Sequence, residues 1–217
     1  MAVYRDLGAG AQVLSTEEKQ ALLDATAGGE LIVIPTDTIY GIGADPYSRF
    51  AVARLLGAKG RDQTMPPPVL GAHAEELLSL AQFGSPAQEQ RVQLLVEAFW
   101  PGPLTLVVQT AVSPGWDTES VGGTIALRMP NCVEALAVLR VTGPLAVTSA
   151  NRTGMPPART VDEARQYFGE EVAVYVDGGA ATGTAVSTIL DCTGEDLQVI
   201  RLGAVSREQI SNMDPSM

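Results

Sequence analysis

The sequence predicts an α/β fold in which a mixed sheet is flanked by helices. Short apolar runs typical of buried strands alternate along the chain with longer segments of helical pattern. Several of the later strands follow one another without a helix between them, which favours a mixed sheet over a purely parallel one. The 217 residues contain no repeat and no low-complexity linker, so we expect a single domain.

The first half of the chain begins with a helix predicted over residues 15–27. Ser15 and Glu18 have the spacing of a capping box, and two glycines follow the helix. The apolar run 31–34 predicts a short buried strand. The other elements predicted in this half are helices 48–58, 74–81 and 86–100 and a strand over 104–109.

The second half of the chain continues this alternation. Two stretches rich in glycine and proline, 66–71 in the first half of the chain and 178–183 in the second, are predicted to be loops inside the same domain. The elements predicted in this half are strand 124–128, helix 131–140, strand 145–148, helix 160–168, strands 172–176, 186–190 and 197–200, and a short helix from Ser206.

Composition argues against several classes of protein. The net charge of −11, with 14 lysines and arginines, disfavours binding to nucleic acid through bulk electrostatics but leaves room for a local basic cavity. No apolar run reaches the ~18 residues of a membrane span, and the first residues do not resemble a signal peptide. Two distant cysteines suit a reducing compartment, so we expect a cytoplasmic protein with no membrane partner. The single histidine, His73, rules out a His/Cys metal site and is expected on the surface.

The strand 31–34 breaks abruptly into a polar turn, PTDTIYGIGAD. Ligands of open α/β sheets usually bind beyond the C-terminal ends of strands. Thr36, Asp37 and Thr38 offer hydroxyl and carboxylate groups there, and two glycines allow the turn to close around a small molecule. An ordinary turn, in which threonine and aspartate satisfy their own backbone, explains these residues equally well.

The segment AKGRD places Lys59 and Arg61 at the end of the second predicted helix. Cations near a helix C-terminus are favoured by the helix dipole, so this pair alone indicates no site. If the pair does belong to a site, we expect both side chains to line a solvated cavity and to contact phosphate.

A second strand, 145–148, also breaks into small polar residues. The segment VTSANRTG supplies hydroxyl and amide groups from Thr148, Ser149 and Asn151. Basic or hydroxyl groups near other strand ends are those of Arg128, Ser187 and Arg201. This set, without a histidine base or a metal cluster, suits a nucleotide phosphate and a small polar acid. Catalysis would then rest on positioning and charge neutralisation.

Seven motifs together resemble the YrdC/Sua5 family, the threonylcarbamoyl-AMP synthases. In chain order they are IPTDTIYGIG, AKGRD, FWPGPLTLVV, ALRMP, TSANRTG, STILD and IRLGA. The resemblance covers roughly residues 10–205 and implies one YrdC-like domain there. That domain has a twisted mixed sheet with flanking helices around a deep, locally positive cavity. Longer members carry an extra C-terminal domain, so this chain resembles the short form.

The resemblance implies a reaction and its partners. The family joins ATP, L-threonine and bicarbonate into threonylcarbamoyl-AMP and pyrophosphate, usually with Mg²⁺. The product serves the threonylcarbamoyl modification of adenosine 37 in tRNA, and separate downstream proteins perform the transfer. The implied enzyme is a nucleotidyltransferase with Mg²⁺ arriving with ATP, with no protein nucleophile and no metal held by the protein alone. Its contact with tRNA would be weak or indirect.

The resemblance also assigns the site residues. Those implied to contact ATP are Lys59, Arg61, Ser149, Asn151 and Arg201. Those implied to hold threonine are Thr36, Arg128, Thr148 and Ser187. The division of these residues between the two substrates stays open at this point.

Two departures from the family pattern keep other functions open. Met65 and Leu70 stand where the family often has a lysine and a histidine, so the contacts of those two residues are not carried over. One alternative is a same-fold enzyme that acts on another carboxylate or phosphate substrate. The other is an RNA-binding module, against which the negative charge and the lack of an aromatic-rich basic strand argue.

Overall fold

The computed structural model describes residues 3–6, 14–60, 66–183 and 185–213. Within these residues, eleven strands form one sheet and seven α-helices surround it. The strands are β1 (Val3–Asp6), β2 (Leu31–Ile34), β3 (Gly41–Ala44), β4 (Val69–Leu70), β5 (Ala81–Gln82), β6 (Leu104–Thr110), β7 (Thr124–Arg128), β8 (Leu145–Ser149), β9 (Val172–Asp177), β10 (Thr188–Asp191) and β11 (Gln198–Arg201). The helices are α1 (Thr16–Ala27), α2 (Arg49–Lys59), α3 (Ala74–Leu78), α4 (Pro86–Phe99), α5 (Val133–Thr142), α6 (Val161–Phe168) and α7 (Arg207–Ser211).

The sheet is mixed, as predicted. Its strand order is β1, β9, β2, β3, β8, β4, β7, β6, β10, β11, with β5 paired to β6 outside this path. Strands β1, β9 and β2 run parallel, as do β4 with β7 and β6 with β10. The other neighbours on the path are antiparallel. Gly41 pairs with both Ile34 and Ser149, so the end of β2, the start of β3 and the end of β8 lie side by side.

Strand β2 is buried on both faces. Leu31 and Val33 pack in one apolar cluster with α2, α4 and α6, whereas Ile32 and Ile34 pack in a second cluster with α1 and α5. Side chains alternate between the faces of a strand, which explains the division. A strand covered by helices on both faces therefore appears in the sequence as a continuous apolar run.

The ends of α1 and α2 follow from their capping residues. The predicted capping box is present, because Ser15 Oγ accepts from Glu18 N at 3.2 Å and Glu18 Oε2 accepts from Ser15 N at 2.7 Å. Helix α2 ends at Lys59, and the next residue, Gly60, has a φ of 64°. Glycine is favoured in this left-handed conformation, which stops the helix directly after Lys59.

Several short strands are not predicted by the sequence. Strand β1 is one, and β3 and β4 lie where the sequence predicts a turn and a loop. The helix predicted over 74–81 ends at Leu78 in the structure, and Ala81, the last residue of the predicted range, begins β5. These strands have two to four residues, and their pairing depends on neighbouring strands rather than on local propensity. His73 is exposed at the start of α3, as expected.

None of the helices in the described part of the chain has the length and apolar character needed to cross a membrane.

Candidate active site

Three of the residues predicted to contact ATP lie together at the end of α2. Lys59 Nζ donates to the Ser149 carbonyl at 2.5 Å, to Asn151 Oδ1 at 2.9 Å and to Ser149 Oγ at 3.3 Å. The polar strand end and the helix end, 90 residues apart, therefore meet, and their contact with ATP stays a prediction. Lys59 is only 3% exposed, so the expectation that it lines a solvated cavity is wrong. Protein oxygens take the place of water around its ammonium group.

The loop after β8 also holds the backbone at the end of α2. Thr153 N donates to the Lys59 carbonyl at 2.9 Å, and Arg152 Nη1 donates to the Ala58 carbonyl at 2.5 Å. The last carbonyls of a helix have no intrahelical partner, so these bonds satisfy groups that would otherwise need water. Arg152 also forms an ion pair with Glu171. Both the side chain and the backbone of Lys59 are thus fixed by the same loop.

Arg128, predicted to hold threonine, is buried at the end of β7. Its Nη2 donates to Asp37 Oδ1 at 2.5 Å, and its Nε donates to the Gly102 carbonyl at 3.1 Å. Nη1 and Nη2 also lie 3.3 and 3.4 Å from Thr38 Oγ1. The paired side chains of Arg128 and Asp37 are 8% and 12% exposed. The polar turn after β2 therefore supplies a carboxylate and a hydroxyl to a buried cation.

A second arginine, Arg201, acts electrostatically on this buried pair. Burial lowers the pKa of Arg128, the Asp37 carboxylate opposes that lowering, and the charge of Arg201 adds to it. Burial also lowers the pKa of Arg201. Both guanidinium groups stay charged at neutral pH because arginine is a very strong base. Arg201 therefore adds a second positive charge that acts on the Arg128–Asp37 pair.

Thr36, predicted to hold threonine, uses its hydroxyl for hydrogen bonds within its own turn. Thr36 Oγ1 accepts from the backbone N–H groups of Thr38 and Ile39 at 3.2 Å each and donates to the Ile39 carbonyl at 2.6 Å. The Thr36 and Thr38 hydroxyls are 3.0 Å apart. This is the self-satisfied turn that the sequence left open as an alternative. Thr36 fixes the turn that carries Asp37 and Thr38, and its contact with threonine stays a prediction.

Ser187 and Arg201 contact each other, although the sequence assigns them to different substrates. Arg201 Nη2 donates to the Ser187 carbonyl at 2.8 Å and to its Oγ at 3.1 Å, and Arg201 Nε donates to the same carbonyl at 3.2 Å. From the other side, the buried Thr105 donates its hydroxyl to Ser187 Oγ at 3.0 Å. The Ser187 hydroxyl is thus held in place by a buried threonine and a more exposed arginine.

Thr148 and Ser149 are neighbours in sequence but point to different faces of the sheet. A third predicted residue, Arg61, lies outside the described residues. Thr148 and Ser149 are successive residues of β8, so their side chains leave opposite faces of the sheet. Thr148 pairs with Ile42 and is partly exposed, and its role in threonine binding stays a prediction. Arg61 is outside the described residues, as is Met65.

A cavity of about 230 Å³ adjoins the turn after β2. Its walls come from three segments, 35–37, 131–134 and 178–182. Asp37 belongs to this wall, and its Oδ2 is buried without a hydrogen-bond partner. An unsatisfied buried acceptor typically costs about 1–3 kcal/mol, so a ligand that brings a donor to this oxygen is favoured.

The described residues contain no group of three or more histidine, cysteine, aspartate or glutamate side chains that could hold a metal ion. Mg²⁺ often binds through one or two carboxylates while substrate phosphates complete its coordination shell. Any Mg²⁺ held by the described residues would therefore depend on the phosphates of a bound nucleotide for most of its ligands.

Comparison with known proteins identifies the family. The family model Sua5_yciO_yrdC, described as "Telomere recombination", matches residues 24–203.

This chain belongs to the Sua5/YciO/YrdC family.

The family assignment confirms the resemblance seen in the seven motifs, whereas the predicted domain limits, 10–205, stay a prediction.

The alignment of this chain covers different fractions of the length of named Sua5/YciO/YrdC relatives. A "Putative threonylcarbamoyl-AMP synthase" of Mycobacterium tuberculosis is 44% identical over 189 residues, which cover 87% of this chain and 85% of that protein. The "Threonylcarbamoyl-AMP synthase" of Bacillus subtilis is 36% identical over 188 residues, which cover 83% of this chain and 52% of that protein. The chain therefore matches the mycobacterial relative nearly end to end and spans about half of the Bacillus protein.

Solved Sua5 and YciO structures have the same fold. A crystal structure of Sua5 from Pyrococcus abyssi complexed with L-threonine superposes with a TM-score of 0.85 at 28% identity. It covers 100% of this chain and 62% of that one. Escherichia coli YciO superposes with a TM-score of 0.81 at 19% identity and covers 97% of this chain and 100% of its own. These matches confirm the twisted mixed sheet with flanking helices.

Sequence reasoning named residues that the structure brings together but missed some of the groups that support them. Asp37 and Thr38 stand out in the polar turn, yet nothing local connects them with Arg128, 91 residues further along the chain from Asp37. Thr105 was missed entirely, although a hydroxyl inside the apolar run LTLVV is a usable signal of a buried polar contact.

Proposed function

We propose that this chain is a threonylcarbamoyl-AMP synthase, a nucleotidyltransferase that converts ATP, L-threonine and bicarbonate into threonylcarbamoyl-AMP and pyrophosphate. The observation that carries the proposal is the convergence of Lys59 with Ser149 and Asn151, which joins two motifs 90 residues apart into one site. Support also comes from relatives named threonylcarbamoyl-AMP synthase at 44% and 36% identity and from a Sua5 structure complexed with L-threonine.

The first half of the proposed reaction makes a carbamate. The neutral amino group of threonine forms a bond to the bicarbonate carbon, the bond to the bicarbonate hydroxyl breaks, and the leaving hydroxide takes a proton from that nitrogen and is released as water. The charge of Arg201 acts on Arg128, so the two guanidinium groups could together bind a carboxylate or carbamate. Ser187, held by Thr105 and Arg201, offers a fixed hydroxyl in the same region.

The second half transfers the nucleotide. A carbamate oxygen attacks the α-phosphorus of ATP, the bond to the β-phosphate oxygen breaks, and pyrophosphate leaves. Such a reaction needs positioning and charge neutralisation rather than a protein nucleophile. Lys59 and the polar groups of Ser149 and Asn151 are the proposed phosphate contacts on the described residues. Mg²⁺ bound with ATP would neutralise further phosphate charge.

The decisive test is pyrophosphate release by the purified protein. We expect release only when ATP, L-threonine and bicarbonate are all present, with CO₂-free buffer used for the omission of bicarbonate. The product should appear by mass spectrometry as threonylcarbamoyl-AMP, and Lys59→Met should abolish most of the signal. Equal release without threonine contradicts the proposal and favours a same-fold enzyme with another substrate, which a panel of small carboxylic acids would then reveal.

The partners of the proposed enzyme follow from its product. Threonylcarbamoyl-AMP would pass to separate transfer proteins in the cytoplasm, so this chain does not itself need to hold tRNA. The net charge of −11 should repel RNA outside the site. We expect binding of unmodified tRNA to be weak and strongly salt-dependent. Sub-micromolar binding at physiological salt that ATP does not disturb would favour the RNA-binding alternative.

A further inference from the structure

Tyr40 is a buried residue to which the proposed mechanism gives no role. It ends the turn between β2 and β3, and its side chain is fully buried in the main apolar cluster. Its hydroxyl donates to the Gly179 carbonyl at 2.6 Å and accepts from Gly178 N at 3.1 Å. The same hydroxyl lies 3.3 Å from Asp177 Oδ1. One phenol group therefore binds the backbone of the loop that follows β9.

The backbone of Tyr40 ties a third segment to this arrangement. Tyr40 N donates to the Ala158 carbonyl at 3.0 Å, and the Tyr40 carbonyl accepts from Ala150 N at 2.8 Å. Residues 150 and 158 bound the loop that carries Asn151. Tyr40 thus joins the turn after β2, the loop after β8 and the loop after β9.

The loop after β9, residues 178–183 and here called the glycine loop, lies directly on the turn. A Cβ atom at Gly183 would stand 2.5 Å from the Asp37 carbonyl oxygen and 2.5 Å from Thr38 Cα. Real Cβ atoms do not approach backbone atoms so closely, so this contact requires glycine. The glycine loop therefore presses on the two residues whose side chains hold Arg128.

We propose that the Tyr40 hydroxyl is a latch that holds the glycine loop against the turn and so positions Asp37, Thr38 and Arg128. This inference rests on the proposed function only for the identity of the substrate. It makes Tyr40 a positioning residue for the threonine side of the site, through groups that the tyrosine does not itself contact.

The chemistry of the hydroxyl suits this role. Burial raises the pKa of Tyr40 far above its ordinary value, and the nearby Asp177 raises it further, so the group stays protonated and keeps its donor. Loss of the oxygen would leave the Gly179 carbonyl and the Gly178 N–H without this partner. Such groups regain partners most easily by moving toward water, which would lift the glycine loop from the turn. The loop after β8, which holds Lys59, contacts Tyr40 only through backbone hydrogen bonds, so loss of the hydroxyl should affect the Lys59 region little.

The test compares Tyr40→Phe with a matched control, Tyr175→Phe. Tyr175 is also buried and donates its hydroxyl to a glycine carbonyl at 2.8 Å, but that glycine, Gly169, precedes β9 and so lies at the opposite end of the strand from the glycine loop. For Tyr40→Phe we expect the KM for threonine to rise about fivefold to tenfold, the scale of one hydrogen bond. The KM for ATP and kcat should stay within about twofold of wild type. Tyr175→Phe should leave all three constants unchanged.

A second readout does not depend on activity. Amide hydrogen exchange in a peptide covering 178–183 should be about tenfold faster in Tyr40→Phe than in wild type or Tyr175→Phe, because local opening costs less. Faster exchange supports the latch even if pyrophosphate assays reject threonine as the substrate. Unchanged exchange in 178–183 overturns the latch, as does an equal rise in the KM values for ATP and threonine.

A second variant covers the case in which Tyr40→Phe does not fold. Gly183→Ala keeps the hydroxyl but introduces the 2.5 Å conflict with the turn, so it should produce the same selective rise in the threonine KM. Its control is Gly194→Ala, where the nearest atom to the new Cβ is 3.7 Å away. Wild-type kinetics in Gly183→Ala would show that the contact between glycine loop and turn does not position the site.

Discussion

Two cations define two regions of the site, and they are held in different ways. Lys59 donates to a backbone carbonyl, a hydroxyl and an amide oxygen, all on the strand end and loop after β8. Arg128 donates to a carboxylate, Asp37, in addition to a carbonyl and a hydroxyl. In the first region, dipoles of the strand end and loop after β8 hold the cation, and in the second an opposite charge holds it.

The difference separates stability from function. Removal of a cation from neutral dipoles leaves groups that can turn toward one another or toward water. Removal of a cation from a buried carboxylate leaves an uncompensated charge, which is far more costly. Arg128 should therefore matter to folding as well as to substrate binding, whereas Lys59 should matter mainly to substrate binding. The predictions below test this contrast, from the largest expected effect to the smallest.

Arg128→Ala should lower the free energy of unfolding by about 3–5 kcal/mol, because it leaves Asp37 buried without its partner. Urea denaturation measures this loss. The double variant Arg128→Ala/Asp37→Ala should recover part of it, since the orphaned charge is then gone. The matched control is Arg54→Ala, which removes a 2.7 Å ion pair with Glu30 whose side chains are both 38% exposed. That pair should contribute at most about 1 kcal/mol. Equal losses from the two arginine variants would break the comparison.

Lys59→Met keeps the apolar stem of the lysine and removes its charge. We expect kcat/KM for ATP to fall about 10- to 150-fold, the effect of losing a charge-assisted contact worth about 1.5–3 kcal/mol. The loss of stability should be smaller than that of Arg128→Ala. Lys19→Met, at an exposed position of α1, is the control and should match wild type. Activity near that of wild type in Lys59→Met would mean that this region is only a structural helix end.

The sequence predicts the elements best where local signals are strong. The capping box at Ser15 and the apolar run Leu31–Ile34 both appear in the structure at the predicted residues. Strands β3 and β4 escape prediction because their residues have no strand pattern of their own. Gly41 and Gly43 form a strand because they pair with β2 and β8, where the Val147 side chain lies 2.5 and 3.0 Å from the positions their Cβ atoms would take. That contact depends on tertiary structure and leaves no local trace.

The candidate site, like the fold, has some parts that the sequence predicts and others that depend on tertiary structure. The grouping of Lys59 with Ser149 and Asn151 could be predicted from the family motifs, although no local signal connects the helix end with the strand end. The pairing of Asp37 with Arg128 could not, because it depends on how the turn after β2 folds over β7. Burial was also misjudged, since a lysine beside a polar motif suggests a wet cavity whereas the structure surrounds Lys59 with protein oxygens.

The pKa of the Cys132 thiol indicates how far water is excluded from the region around Asp37. Cys132 lines the same cavity as Asp37, and burial raises its pKa to about 12. In the unfolded chain a thiol titrates near 8.5. The folded state therefore gains nothing from this thiol at neutral pH, and stability is lost as the pH rises from about 8.5 toward 12.

We expect the free energy of unfolding of wild type to fall more steeply with pH than that of Cys132→Ala, by on the order of 1 kcal/mol by pH 9.5. Denaturation curves at pH 7.5, 8.5 and 9.5 give the two slopes. Equal slopes would mean that water reaches this region freely. The Arg128–Asp37 pair would then be a solvated pair of little value to stability, and the contrast with Lys59 would disappear.

Arg201 should show the smallest effect on stability and decides to which region it belongs. The sequence-based assignment places it on ATP, beside Lys59. Its hydrogen bonds instead go to Ser187, and its charge acts on Arg128. We therefore expect Arg201→Ala to raise the KM for threonine about fivefold to tenfold, the scale of one hydrogen bond, and to change the KM for ATP less than twofold.

Stability should fall by less than about 1.5 kcal/mol in Arg201→Ala, because the side chain is exposed and its partners can bind water when it is removed. Arg201→Lys keeps the charge but cannot donate from Nε and Nη2 to the same carbonyl, so it should recover only part of the threonine KM. Steady-state kinetics with each substrate varied in turn separate the two assignments. A rise confined to the KM for ATP would return Arg201 to the Lys59 region, and the two guanidinium groups would then serve different substrates despite their proximity.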